Sequence, residues 1–195
     1  NIILTKSKKL SNNLGQIVNG PLLLTPKVNK DERGAFFESW NKKEFDSIIG
    51  ENINFVQDAH SITKRGVIRG MHYQISPNEQ GKLIRCISGE IYDVLIDIRK
   101  HSPTFSSWIA VRISSQNFYQ IWVPAGFAHG FLTITDYAEV LYKMTGFWRK
   151  QSERSIRWND PTIAINWLDL KNLPDLSKKD LSAPLFKELT ELDFF

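Results

Sequence analysis

Arg69 and His72 stand three residues apart in Gly66-Val67-Ile68-Arg69-Gly70-Met71-His72-Tyr73-Gln74, which sets an anion clamp beside a candidate base. The segment is rich in strand formers and punctuated by glycine. In a regular strand Met71 and Tyr73 point to one face, and Gly70, His72 and Gln74 to the other. Arg69 then lies opposite His72. For both to serve one ligand, the chain must bend next to Arg69, where Gly70 permits it, or Arg69 must serve a neighbouring subunit.

The elements that position this pair read as mostly β. The 195 residues suffice for one well-filled core, and 42% are hydrophobic. Twelve Phe, six Trp and five Tyr lie among short Ile and Val runs, as pleated surfaces favour. Residues 1 to 20 read as a polar, partly mobile extension with a short strand at Ile17-Val18, leaving 21 to 195 as a single domain. After Leu22-Leu23-Leu24, the turn Asp31-Glu32-Arg33-Gly34 leads into a strand over Ala35–Trp40. Lys42 to Ile49 carries Phe45, Ile48 and Ile49 at i, i+3 and i+4 before Gly50, the pattern of a short amphipathic helix with a glycine stop. From Phe55 to Trp148, short strands alternate with turn signals such as Pro124-Ala125-Gly126, which suggests a sandwich or barrel. Lys82–Ile87 and Ile91–Arg99 flank Ser88-Gly89 as a hairpin. Tyr92, Val94, Ile96 and Ile98 share one face of its second strand, while Asp93 and Asp97 share the other and need partners if buried. The segment from Leu168 closes the domain with loops and short turns.

The net charge of +4 is spread among nearly as many acids, so a nucleic-acid partner is poorly supported, whereas a small polyanion such as a diphosphate suits a modest positive excess. The lone Cys86 allows no internal disulfide and fits a reducing, cytoplasmic compartment. Lys6, Lys8 and Lys9 precede no uninterrupted apolar run, and no stretch approaches the ~20 residues that span a bilayer. Neither a signal peptide nor a membrane partner is expected.

Titratable candidates beyond His72 are His60, His129, Tyr142, Lys82 and Asp180. No nucleophile elbow, P-loop or dinucleotide fingerprint is present. A metal reading is disfavoured, because Gly70 and Gln74 occupy the same-face positions flanking His72 where a second ligand would stand. His72 and His129 alone would make a poor site for a hard cation.

The chain resembles the dTDP-4-dehydrorhamnose 3,5-epimerase family, jelly-roll enzymes of the cupin superfamily. The matching segments run in order: Asp31-Glu32-Arg33-Gly34, Phe36-Phe37-Glu38-Ser39, Phe55-Val56-Gln57-Asp58, Arg69-Gly70-Met71-His72-Tyr73-Gln74, Gln80-Gly81-Lys82-Leu83, Pro124-Ala125-Gly126-Phe127-Ala128-His129-Gly130-Phe131, Leu141-Tyr142-Lys143, Ile156-Arg157-Trp158-Asn159-Asp160 and Leu176-Ser177-Lys178-Lys179-Asp180. The resemblance implies a cupin-type jelly roll that inverts C3 and C5 of a dTDP-linked 4-ketosugar without a cofactor, in dTDP-rhamnose biosynthesis. The ketone acidifies both neighbouring C–H bonds, so inversion needs a base, a proton donor on the other face and a group to hold the enolate oxygen. By that resemblance His72 is the base, Asp180 its partner, Tyr142 the donor and Lys82 the cation at the oxygen. Arg33, Arg69, His129 and Lys179 suit the diphosphate or sugar, and Glu38, Gln57, Trp148 and Glu153 the base, ribose or sugar. A homodimer is implied, with Arg33 and Glu38 crossing between subunits.

Ala59 stands where relatives often carry Asn, and Gly146-Phe147-Trp148 replaces a more usual pair of tyrosines, departures that bear on nucleotide preference. Three other readings stay open: an epimerase acting at one carbon, a binding module without chemistry, and a metal-dependent cupin.

Overall fold

The computed structural model describes residues 5–195. Thirteen strands and two α-helices follow in order: β1 (Lys6–Ser11), β2 (Ile17–Thr25), β3 (Asn29–Asp31), β4 (Gly34–Phe36), α1 (Lys42–Ile49), β5 (Gln57–Lys64), β6 (Ile68–Gln74), β7 (Lys82–Ser88), β8 (Glu90–Asp97), β9 (Trp108–Ser114), β10 (Gln120–Val123), β11 (Phe127–Thr133), β12 (Tyr137–Met144), β13 (Glu153–Ser155) and α2 (Lys178–Leu181). One sheet has the order β1-β2-β10-β7-β12-β5 and the other β13-β6-β11-β8-β9, while β3 and β4 form a separate exposed hairpin. Neighbouring strands in both sheets run antiparallel. The two sheets face each other as the jelly roll expected of a cupin.

Alternation along the strands divides the apolar residues into three layers. Ile84, Cys86, Ile91, Leu95, Ile121, Phe127, Phe131 and Val140 fill the space between the sheets. Val94, Ile96, Ala128 and Leu132, on the opposite faces of β8 and β11, pack under the C-terminal segment with Ile163 and Trp167. Phe45 of α1 closes a third cluster with Leu24, Leu83 and Trp122 on the outer face of the six-stranded sheet. Asn41 caps α1 by accepting from Glu44 N, and Gly50 ends it at φ +82°, a value only glycine adopts freely.

The Ser88-Gly89 turn does not close a hairpin. Strand β7 pairs with β10 and β12, whereas β8 pairs with β9 and β11 in the other sheet, so the turn is a corner where the chain changes layers. The boundary expected at residue 20 falls inside β2, and Lys6–Ser11 pairs along β2 as an edge strand rather than trailing as an extension. The expected strand over 35–40 is shorter: after Phe36 the chain turns, placing Phe37 on Phe118 and Trp40 on Phe55. Residues 1–4 of the expected extension lie outside the described residues.

One irregularity governs the site. On β6 and β11, His72 pairs with His129 but Arg69 pairs with Phe131, so three steps on one strand match two on the other. The extra residue is a bulge at Gly70, with φ +134°. A Cβ added there would sit 2.6 Å from Gly130 Cα. Gly70→Ala is therefore expected to cost roughly 3 kcal/mol and to lower Tm by roughly 6–12 °C. Thermal unfolding followed by circular dichroism checks this, and an unchanged Tm would contradict it.

Candidate active site

The bulge reverses the alternation between Arg69 and His72, so both reach one cavity of about 310 Å³ between the sheets. The five-stranded sheet contributes Arg69, His72, His129, Phe131 and Glu153, and the six-stranded sheet contributes Gln57, Ala59, Ser61, Lys82, Tyr142 and Met144. His72 and Tyr142 thus stand on opposite walls of the cavity. A wider groove of about 470 Å³ lies around Asn19, Arg99, His101 and Phe195. Its Arg99 is committed to the buried Asp97 at 2.9 Å, and it gathers no comparable set of reactive groups.

Asp180 reaches His72 because Ser177 caps the single turn of α2 and holds it against β6. Its Oδ1 lies 2.6 Å from His72 Nε2, and its Oδ2 accepts from Gly70 N at 3.2 Å. Burial alone would raise the Asp180 pKa, but the His72 hydrogen bond and charge, Gly70 N–H and the Lys179 charge outweigh it and hold the carboxyl below its usual value. The carboxylate is therefore ionised and only accepts, so His72 Nε2 carries a hydrogen toward it, and in the neutral form of the ring the lone pair falls on Nδ1. A base with its tautomer fixed results.

Across the strand pair, His129 Nε2 lies 2.6 Å from Asp93 Oδ1, both side chains being almost fully buried. Burial pushes the Asp93 carboxyl up, opposed by His129 and Lys82. Asp93 Oδ2 makes no hydrogen bond among the described residues. Lys82 at the start of β7 makes none among the described residues, and enclosure by protein lowers its pKa to about 8, with Asp93 and Glu153 opposing the fall and Lys179 adding to it. Such an ammonium keeps its charge near neutrality yet has no partner to give up when an oxyanion forms beside it.

Tyr142 projects inward from β12, with its hydroxyl 3.2 Å from Ser61 Oγ on β5. Burial raises its pKa strongly, against the Ser61 hydrogen bond, so the phenol stays protonated. Arg69 Nε donates to Thr63 Oγ1 at 2.9 Å, which orients the guanidinium while its two Nη groups make no hydrogen bond among the described residues. Those groups form the fork that suits a phosphate.

Most of the residues singled out by sequence converge here, and some do not. Gln57 accepts from Trp148 N at 3.1 Å, and both line the cavity. Glu153 lines it too and holds Lys179 at 2.6 Å, which places Lys179 on the rim rather than the wall. Arg33 and Glu38 are remote: both are exposed near the β3–β4 hairpin, and Arg33 pairs with Asp31 at 2.5 Å. His60 faces outward and pairs with Glu139 at 2.9 Å. Asp93, Ser61 and Thr63 were not singled out as site residues. The inward face of β8 signalled Asp93, but nothing in the sequence signals which hydroxyl meets Tyr142. Among the described residues, no three His, Cys, Asp or Glu side chains gather as a metal-ligand set.

An imidazole lone pair, a neutral phenol on the facing wall, an unpartnered ammonium and a guanidinium fork suit proton abstraction beside a carbonyl on a phosphorylated ligand. The family model described as dTDP-4-dehydrorhamnose 3,5-epimerase matches residues 16–188. The enzyme of that name from Salmonella typhimurium is 53% identical over 172 residues, 87% of this chain and 93% of the relative. The dTDP-6-deoxy-D-glucose-3,5-epimerase of Legionella pneumophila, solved with dTDP-4-keto-L-rhamnose, superposes with a TM-score of 0.89 at 38% identity, covering 97% of each chain. A 3'-monoepimerase from Streptomyces bikiniensis, solved with dTDP-quinovose, superposes at 0.81 with 31% identity over 85% of this chain and 83% of its own. A base dyad facing a phenol inside a cupin-type jelly roll thus coincides with extensive sequence and structural similarity, and the chain belongs to the dTDP-4-dehydrorhamnose 3,5-epimerase family.

Proposed function

We propose that this protein is an isomerase that inverts C3 and C5 of dTDP-4-dehydro-6-deoxy-D-glucose to give dTDP-4-dehydro-L-rhamnose, in dTDP-rhamnose biosynthesis. The observation that carries the reading is the His72–Asp180 dyad facing Tyr142 across one cavity, with Lys82 beside them. His72 Nδ1 removes the proton next to the C4 ketone, and the electron pair moves to the C4 oxygen. Lys82 stabilises that enolate, and Tyr142 protonates the carbon from the other face. Repetition at the second carbon completes the product. Arg69, with His129, Gln57, Trp148, Glu153 and Lys179, binds the diphosphate, nucleoside and sugar.

The active unit we propose is a cytoplasmic homodimer. Ile62, Ile87 and Tyr137 lie on the outer face of the six-stranded sheet, 62%, 39% and 54% exposed, and Phe36 on the β3–β4 hairpin is 75% exposed. Apolar groups so placed suit burial against a second copy. The same docking takes Arg33 and Glu38 to the partner's cavity, consistent with their distance from their own. No helix among the described residues is long and apolar enough to cross a membrane.

Turnover of dTDP-4-dehydro-6-deoxy-D-glucose in D2O, followed by mass spectrometry of the product, tests the reaction. Incorporation of two deuterons is expected. One deuteron would indicate a single-carbon epimerase like the Streptomyces relative, and none would leave a binding module.

A further inference from the structure

Tyr142 has one hydrogen-bond partner among the described residues, and that partner is a hydroxyl. Ser61 Oγ lies 3.2 Å from the phenol oxygen, and Ser61 makes no other side-chain hydrogen bond among the described residues. Strands β5 and β12 are antiparallel, with Tyr142 opposite Ala59 and Val140 opposite Ser61, so the two side chains are diagonal neighbours on the inner face. Two residues further along that face, Thr63 makes the corresponding contact to Arg69. Strand β5 thus presents two hydroxyls that aim two cavity residues on other strands.

We propose that Ser61 is a positioning residue that makes Tyr142 an effective acid, and so decides whether abstraction at a carbon ends in inversion or merely in return of a proton to the same face. This rests on the epimerase reading above. For Tyr142 to protonate carbon, its O–H must point at the substrate, and the Ser61 O–H must then donate to the phenol oxygen. The first C–H bond breaks, its proton goes to His72 Nδ1 and its electron pair to the C4 oxygen. The Tyr142 O–H bond then breaks, its proton forms the new C–H bond on the opposite face, and its electron pair remains on the phenolate. That phenolate forms in an enclosed cavity where burial opposes the charge, and the Ser61 hydroxyl is the one hydrogen bond offered to it by the described residues. Exchange of the imidazolium proton back to the phenolate through water closes the cycle. Without Ser61, His72 still abstracts, but the proton it carries returns to the same face more often.

The two fates separate in D2O: His72 is partly open to the cavity, so the imidazolium N–H swaps with solvent, and abstraction followed by return of the exchanged deuteron labels the substrate without changing configuration. The experiment measures exchange into recovered substrate and inversion into product, with dTDP-4-dehydro-6-deoxy-D-glucose, for the wild type, Ser61→Ala and Ser61→Thr. The expected result for Ser61→Ala is an exchange-to-inversion ratio about tenfold above wild type, with inversion kcat down about tenfold and KM within about twofold. Ser61→Thr, which keeps the hydroxyl, is expected to restore the ratio. A Ser61→Ala ratio equal to that of an active wild type would overturn the role of Ser61 and leave the epimerase reading standing. So would a raised KM with an unchanged ratio, which would make Ser61 a binding residue. A wild type that neither exchanges nor inverts would overturn both.

Discussion

His72→Ala is expected to lower kcat/KM about 10³- to 10⁴-fold, the full contribution of a positioned general base. The loss should fall on kcat, because in the proposed reading Arg69 and Lys179, rather than the imidazole, hold the diphosphate. The side chain is partly open to the cavity, and its hydrogen bonds with the rest of the fold reduce to one contact with Asp180, so alanine leaves the strand pairing intact. Steady-state kinetics at saturating substrate, with circular dichroism as a control for folding, checks the expectation. A variant that keeps more than about a tenth of wild-type kcat would remove His72 from the chemistry.

Lys82→Met carries the second largest effect, about 10²- to 10³-fold on kcat, the usual loss when a preorganised group at a developing oxyanion is removed. Methionine keeps the volume and apolar stem while deleting the charge, so packing beside Met144 and Tyr142 should survive. The pH dependence adds an independent check. Enclosure disfavours the ammonium and brings the Lys82 pKa down to about 8. The cation is therefore present below pH 8 and lost as pH rises through it, so the wild-type rate should fall on the alkaline side with a midpoint near that value. In Lys82→Met that limb should vanish, leaving a low rate that is flat through pH 8. An alkaline limb that persists in the variant would assign it to another group.

How far the site was legible depends on whether its residues communicate within a strand or across sheets. Helix α1 was readable because Phe45, Ile48 and Ile49 repeat at helical spacing and Gly50 adopts φ +82° behind them. Asp93 and Asp97 were readable as acids that would need partners if buried, because both fall on the face of β8 opposite Tyr92, Val94 and Ile96, and both found them, in His129 and in Arg99 with Ser102 and Thr104. The Gly70 bend was readable as a possibility but not as a bulge, because register is a property of two strands. Ser88-Gly89 shows the limit of turn chemistry: a turn dipeptide dictates reversal of the chain, not which sheet receives the next strand. Lys6–Ser11 reads as polar coil because five of its six side chains are exposed, and its strand is held by backbone pairing to β2, with Leu10 its single buried anchor. Ser61 was invisible for a further reason. Its alignment with Tyr142 comes from the register of β5 against β12, which no local pattern encodes.

In the proposed reaction one base dyad acts at both carbons flanking the ketone. Proton NMR of dTDP-4-dehydro-6-deoxy-D-glucose in D2O tests it most directly, following the hydrogens on C3 and C5 with the wild type and with His72→Ala side by side. Both signals are expected to fade with the wild type as the L-configured product appears, and both to persist with His72→Ala. Fading of either signal at the wild-type rate in His72→Ala, or persistence of both in a wild type that binds the nucleotide sugar, would contradict it.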